Sequence, residues 1–184
     1  MNHIPILFSA DMVNAILNGT KTQTRRLVRN DILEQRHHNA VGQDENGFYF
    51  NLSGTRFYQL KPKAQKGDIF WVRESWAARL FLEVVDVRLE RLQDISLEDA
   101  KAEGIKCQTS KESGNPFKRF FNYITDTYTF FFPNRSFMTL WKSIHGVESW
   151  NNNPYVWVYE FKVIDQPVDF LMPTNKNDKK VNKI

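Results

Sequence analysis

The segment Pro154-Tyr155-Val156-Trp157-Val158-Tyr159-Glu160-Phe161-Lys162-Val163-Ile164 is the clearest strand in the chain. It is filled with β-branched and aromatic residues. Val156, Val158 and Glu160 alternate against Tyr155, Trp157, Tyr159 and Phe161, the period of two that sends side chains to opposite faces of a sheet.

Working outward from it, Lys66-Gly67-Asp68 reads as a turn into a buried strand, Ile69-Phe70-Trp71-Val72-Arg73-Glu74-Ser75-Trp76, that ends in charged groups. Residues 83 to 93 are a further strand, with Val85, Val87 and Leu89 on one face, and Ile4 to Phe8 another. Phe48 and Phe50 around Tyr49 suggest a hairpin within the polar stretch 30 to 60.

Two or three short helices are expected. Ser9 caps one whose apolar positions Met12, Val13, Ile16 and Leu17 have helical spacing, and Gly19 closes it. Ser96-Leu97-Glu98-Asp99 starts a short one that Gly104 closes, with Glu103 in its last turn. After Pro133 a third runs from about Ser136 to Ile144. Mainly β, with two or three short helices, the chain predicts an α+β class and a small closed or partly open β-barrel.

A chain of 184 residues suits one domain. Residues 1–170 are assigned to it, with insertions at about 30–60 and 106–135, and 171–184 to a basic, flexible tail. Cys107 is alone, so no disulfide forms within the chain. The start lacks a signal peptide's basic and apolar regions, and no apolar run nears the roughly 18 residues a membrane span needs, so a cytoplasmic protein is expected. The net charge of +4 arises largely from the tail, without which 21 basic residues face 20 acidic ones. Only local clusters can therefore speak for nucleic acid.

Phosphate-loop, dinucleotide and HExxH patterns are absent, and one cysteine is too few for a structural zinc. His37-His38 is the only histidine pair, and adjacent histidines point apart, so a solvated loop is the plainer reading. Lys21, Arg25, Arg26 and Arg29 are a different matter, since they cluster with no acid among them. Such runs are commonly solvated surface. This one, however, follows a helix cap directly and interleaves Thr20, Thr22 and Thr24. Like charge around Lys21 is expected to lower its pKa toward that of a general base. Glu103, at the unfavourable end of a helix dipole, is also conspicuous.

Gly19-Thr20-Lys21-Thr22-Gln23-Thr24-Arg25-Arg26 resembles the Gly-x-Lys-x-x-(Glu or Thr)-x-Arg signature of the ASCH domain, a PUA-like β-barrel family associated with RNA and modified nucleosides. The resemblance covers residues 4 to 29, 66 to 105 and 136 to 164 in order, and is to the larger phage and prophage members. Small bacterial ASCH proteins include amidohydrolases that use a lysine, a threonine and a glutamate, so the resemblance implies removal of the acyl group of N4-acetylcytidine or a related nucleoside. Lys21 and Thr24 fall on signature positions and Glu103 on the glutamate of the short helix. Thr24 would then attack the amide carbonyl, Lys21 act as its base, and Glu103 orient Lys21 or handle the leaving amine's proton. Arg26 would hold the base or the oxyanion.

Arg73, Glu74 and Trp76 are candidate substrate contacts. Trp76 would stack on a base, and Glu74 would replace Glu103 if that residue is remote. No metal and no organic cofactor is expected. In a regular strand Lys21 and Thr24 point to opposite faces, so the reading requires an irregular backbone at Thr20 to Gln23. Two competitors remain: a non-catalytic binder of RNA or modified nucleotides, and a ribonuclease using the same cluster. The aromatic run 117–132, with Lys118 and Arg119, reads as buried, or else as a stacking surface or pocket lid.

Overall fold

Strand β11 (Tyr155–Ile164) has a neighbour on each side, as its double-faced apolar pattern demands. It runs antiparallel to β7 (Phe81–Arg91) on one side and to β2 (Gln23–Leu27) on the other. Strand β6 (Ile69–Val72) pairs antiparallel with β7, and β1 (His3–Ile6) runs parallel to β6, so the sheet order is β1-β6-β7-β11-β2. The structure, a computed structural model, describes residues 1–28, 41–44, 47–52, 56–72, 80–110, 117–168 and 170. Among the described residues the edges β1 and β2 are not paired with each other. Helix α1 (Ala10–Leu17) joins them in the chain.

Two antiparallel three-stranded sheets complete the β structure among the described residues. One holds β3 (Val41–Asp44), β4 (Gly47–Leu52) and β5 (Arg56–Leu60), where the sequence suggests only a hairpin. The other holds β8 (Cys107–Ser110), β9 (Phe117–Asn122) and β10 (Thr127–Phe130). Helices α2 (Leu97–Ala102), α3 (Pro133–His145) and α4 (Val147–Asn151), with a 3-10 turn at Leu92–Asp94, are the remaining helical elements described. Helix α3 begins three residues earlier than the sequence suggests. Pro133 occupies its first turn, where a missing N–H costs nothing.

The two faces of the five-stranded sheet bury different things. One packs Phe70, Leu82, Val84, Trp157, Tyr159 and Phe161 against Phe8, Val13 and Ile16 of the α1 region. Phe70 meets Tyr159 edge-on at 5.2 Å, and Phe48 of β4 meets Trp157 at 4.8 Å. The other face packs Val156 and Val158 against Ala100, Phe120, Phe137 and Trp141. On this second face the register aligns Arg25, Val158 and Arg88 in one row across three strands, so two guanidinium groups flank a fully buried valine.

Dense aromatics in 117–132 are only partly buried. Phe120 is in the core, whereas Phe131 and Phe132 are 59% and 60% exposed where the chain leaves edge strand β10 for α3. No described helix is long and apolar enough to cross a membrane.

Helix α2 depends on its cap because it has only six residues. The Ser96 hydroxyl accepts from the Asp99 amide at 3.0 Å. Ser96→Ala is expected to cost about 1 kcal/mol, read as a lower urea midpoint at unchanged slope.

Candidate functional site

The backbone between α1 and β2 is irregular. Gly19 takes φ +75°, after which the amides of Thr20 and Lys21 both donate to the Ala15 carbonyl at 2.9 Å. The Thr22 amide then donates to Ala102 at the end of α2, and its carbonyl accepts from Phe161 of β11, each at 2.9 Å. Ladder pairing with β11 starts only at Gln23. Lys21 itself forms an isolated antiparallel bridge with Glu103, 82 residues later. The strand-alternation objection therefore does not apply to Lys21, which stands outside the strand that carries Thr24.

Close approach of these two backbones requires Gly104. It has φ +77°, and a Cβ placed there would lie 2.6 Å from the Lys21 Cβ and 3.1 Å from the Ala15 Cβ. Only glycine meets both demands.

Lys21 is 2% exposed. Its Nζ donates to the Glu103 carbonyl and to Glu103 Oε2, both at 2.9 Å, and sits 5.7 Å from the Phe8 ring centroid. Burial pushes its pKa below the usual lysine value, with Glu103 opposing and Arg26 and Arg25 adding to the fall. Like charge is thus the lesser cause and desolvation the greater, which reverses the weight that the sequence suggests.

Glu103, the C-cap residue of α2, is 5% exposed. Its second oxygen, Oε1, accepts from Arg25 Nη1 at 3.1 Å. Two cations thus offset the unfavourable helix end. Arg25 belongs in sequence to the basic cluster of Lys21, Arg26 and Arg29, and its side chain is fully buried. Its Nη2 also donates to Glu90 Oε2 and Asp99 Oδ2, both at 3.0 Å. Arg88 continues the network to Glu90, Asp99, Asp86 and Glu160. These carboxylates lie far from Arg25 in sequence, so no local spacing announces them; Asp99 reads there only as part of a cap.

Thr24 is buried on β2 opposite Tyr159, and its hydroxyl makes no hydrogen bond among the described residues. Arg26 Nη2 donates to the Leu7 carbonyl at 2.7 Å, and its guanidinium lies 5.2 Å from the Phe8 ring centroid. Lys21, Thr24, Arg25, Arg26 and Glu103 all line one cavity of about 680 Å³. Its apolar walls come from Phe8 and Met12 near α1, Phe137, Leu140 and Trp141 on α3, and Tyr123 and Tyr128 around β9 and β10. The size is in the range of small-molecule sites.

His145, at the C-terminal end of α3, also lines this cavity, its ring tilted by 37° against Trp141 with the centroids 4.2 Å apart. Burial and the nearby Arg26 lower its pKa below the usual histidine value. Sequence reading did not single out His145, whereas Tyr123 and Tyr128 belong to the aromatic run 117–132 read there as buried, or else as a stacking surface or pocket lid. The docking of α3 and β9–β10 brings all three to the cavity.

Arg73, Glu74 and Trp76 lie outside the described residues, as do His37, His38, Arg29 and the 171–184 tail. Among the described residues no group of three or more His, Cys, Asp or Glu is arranged to hold a metal ion. Arg25 occupies the space among Glu90, Asp99 and Glu103.

No family model matches the chain, and no curated protein matches it. Among solved structures, one described as hypothetical protein PH0355 aligns with a TM-score of 0.45 at 12% identity, covering 88% of this chain and 99% of that one. The ASCH domain from Lactobacillus crispatus JV V101 aligns with a TM-score of 0.41 at 16% identity, covering 88% of this chain and 79% of that one.

Proposed function

We propose that this chain is a PUA-like domain of the ASCH type and an amidohydrolase acting on N4-acetylcytidine or a related N4-acylated nucleoside. One observation carries the reading: a buried lysine is gripped by two acceptors of a single glutamate, in a cavity that a buried threonine also lines. A neutral amine has two N–H groups and one lone pair. With both N–H groups donated to the Glu103 carbonyl and Oε2, the lone pair is left free to take a proton. Burial favours that neutral form.

In the proposed reaction the Thr24 hydroxyl gives its proton to Lys21 as Oγ bonds to the acyl carbon. Collapse of the tetrahedral intermediate breaks the C–N bond, and the Lys21 ammonium returns the proton to the departing N4 amine. Water, deprotonated in turn by Lys21, then cleaves the Thr24 ester, releasing the carboxylic acid and restoring the hydroxyl. Glu103 orients Lys21 throughout. Arg26 supplies positive charge for the oxyanion.

A second reading, a non-catalytic binder of RNA or modified nucleotides, draws support from the exposed Phe131 and Phe132 beside Arg119, whose guanidinium lies 3.9 Å from the Phe131 ring centroid. The two separate by incubation with N4-acetylcytidine while the ultraviolet spectrum is followed. The hydrolase reading expects turnover that Lys21→Met and Thr24→Val each lower by about 10³-fold or more, the scale on which nucleophile and base act together. Turnover unchanged in both variants would overturn it. Absent turnover with tight, salt-dependent oligonucleotide binding would favour the binder.

A further inference from the structure

The contact between Lys21 and Glu103 at the cavity does not stand alone. From Lys21 a continuous chain of charged contacts runs through Glu103 to Arg25, on to Asp99 and Glu90, and through Arg88 to Glu160 and Asp86. Exposure rises along it, from 0% for the Arg25 side chain to 31% for Arg88 and 53% for Asp86. It therefore connects the buried end of the cavity to solvent across the second face of the sheet.

We infer that Arg25 is a positioning residue: it binds Glu103 by one carboxylate oxygen and leaves the other oxygen and the carbonyl to grip Lys21, so that the carboxylate's charge is shared between the two cations. This deepens the reading of Lys21 as the general base and rests on that reading for its catalytic consequence.

Three features support this role. Arg25 is held by three carboxylates from three places, Glu90 on β7, Asp99 on α2 and Glu103 at the end of α2, so its planar fork has little freedom to turn. Glu103 is shared, one oxygen to each cation, so its negative charge is not available to Lys21 alone. Arg25 also alternates with Thr24 along β2, so the strand that offers the hydroxyl to the cavity holds the organising cation on its opposite face.

The charged groups acting directly on Lys21 are Glu103 from the end of α2 and Arg25 and Arg26 from β2. Arg26 in turn faces Tyr159 of β11 and His145 of α3. Of the two arginines, Arg25 is the one bonded to the glutamate that holds the lysine.

The test follows Lys21 directly. In protein labelled with 13C at lysine Cε, the Lys21 signal is identified by its loss in Lys21→Met and titrated in wild type, Arg25→Met, Arg25→Lys and Asp99→Asn. Arg25→Met removes a like charge and returns Glu103 wholly to Lys21, so its midpoint is expected to rise by at least about one pH unit. Arg25→Lys keeps the charge and should stay closer to wild type. Asp99→Asn leaves Arg25 less neutralised, so the midpoint should fall.

An unchanged midpoint in folded Arg25→Met would overturn the inference. Should Arg25→Met fail to fold, Asp99→Asn decides, an unmoved or raised midpoint there being the contrary result. Turnover of N4-acetylcytidine by Arg25→Met should fall near neutral pH and recover as pH rises. A wild type without turnover would defeat the hydrolase reading and leave the titration result standing.

Discussion

Gly104→Ala is expected to be the most damaging single-methyl change in the described structure, lowering stability by about 2–5 kcal/mol. Two costs combine. Gly104 has φ +77°, where a Cβ meets the neighbouring carbonyl oxygen, and the same Cβ would stand 2.6 Å from the Lys21 Cβ. That neighbour is the root of the side chain rather than its flexible tip, so relief requires moving backbone. The bridge between Lys21 and Glu103 is the part that must yield. Urea denaturation should show the loss, and any turnover should fall with it even where the variant is folded. Gly19→Ala is the comparison: φ there is +75° but open space surrounds the position, so only the conformational cost of about 1–2 kcal/mol applies. Equal effects at the two glycines would show that contact with Lys21 adds nothing.

Glu103→Gln should produce the second large effect and give it a pH signature. The amide can still accept from Lys21 Nζ, but the negative charge that raises the lysine pKa is gone, so the pKa falls further below its unfolded value. Between the lower folded pKa and the unfolded value of about 10.4, the unfolded chain binds more protons than the folded one. Stability therefore rises with pH across that window. The expected loss relative to wild type is about 3–5 kcal/mol at pH values where wild-type Lys21 is protonated, the cost of breaking a buried pair from one side, and it shrinks as pH rises through the wild-type folded pKa, above which both folded lysines are neutral. Wild type has the same sign with smaller amplitude. Denaturation midpoints measured across this range test the claim, and a Glu103→Gln variant matching wild type throughout would contradict it.

Much of the β framework was legible from residue order because strand and cap signals are local. The alternation of Val156 and Val158 against Trp157 and Tyr159 marked the central strand, and the two faces of that strand do bury separate cores. Ser9 and Ser96 marked the starts of α1 and α2, and each accepts a hydrogen bond from an amide three residues on. These interactions depend on near neighbours, so the residue types suffice.

Lys21 and Thr24 were legible as a resemblance, but not their surroundings. The sequence marks Lys21, Arg25 and Arg26 as one basic cluster. Folding divides them: Arg25 goes to the second face of the sheet among three carboxylates, while Lys21 and Arg26 flank Phe8. Glu103 meets Lys21 across 82 residues, and Arg25 meets Glu90 across 65. Charge attraction acts through space, and burial multiplies it only after the core has closed.

Residue types and short spacings therefore settled the mainly β character of the chain and the chemistry available at residues 19 to 26. Tertiary structure decided which of those charges are buried, which are paired, and that the lysine loses affinity for its proton chiefly through desolvation. Desolvation depends on every group packed around an atom, which no segment of the chain specifies alone.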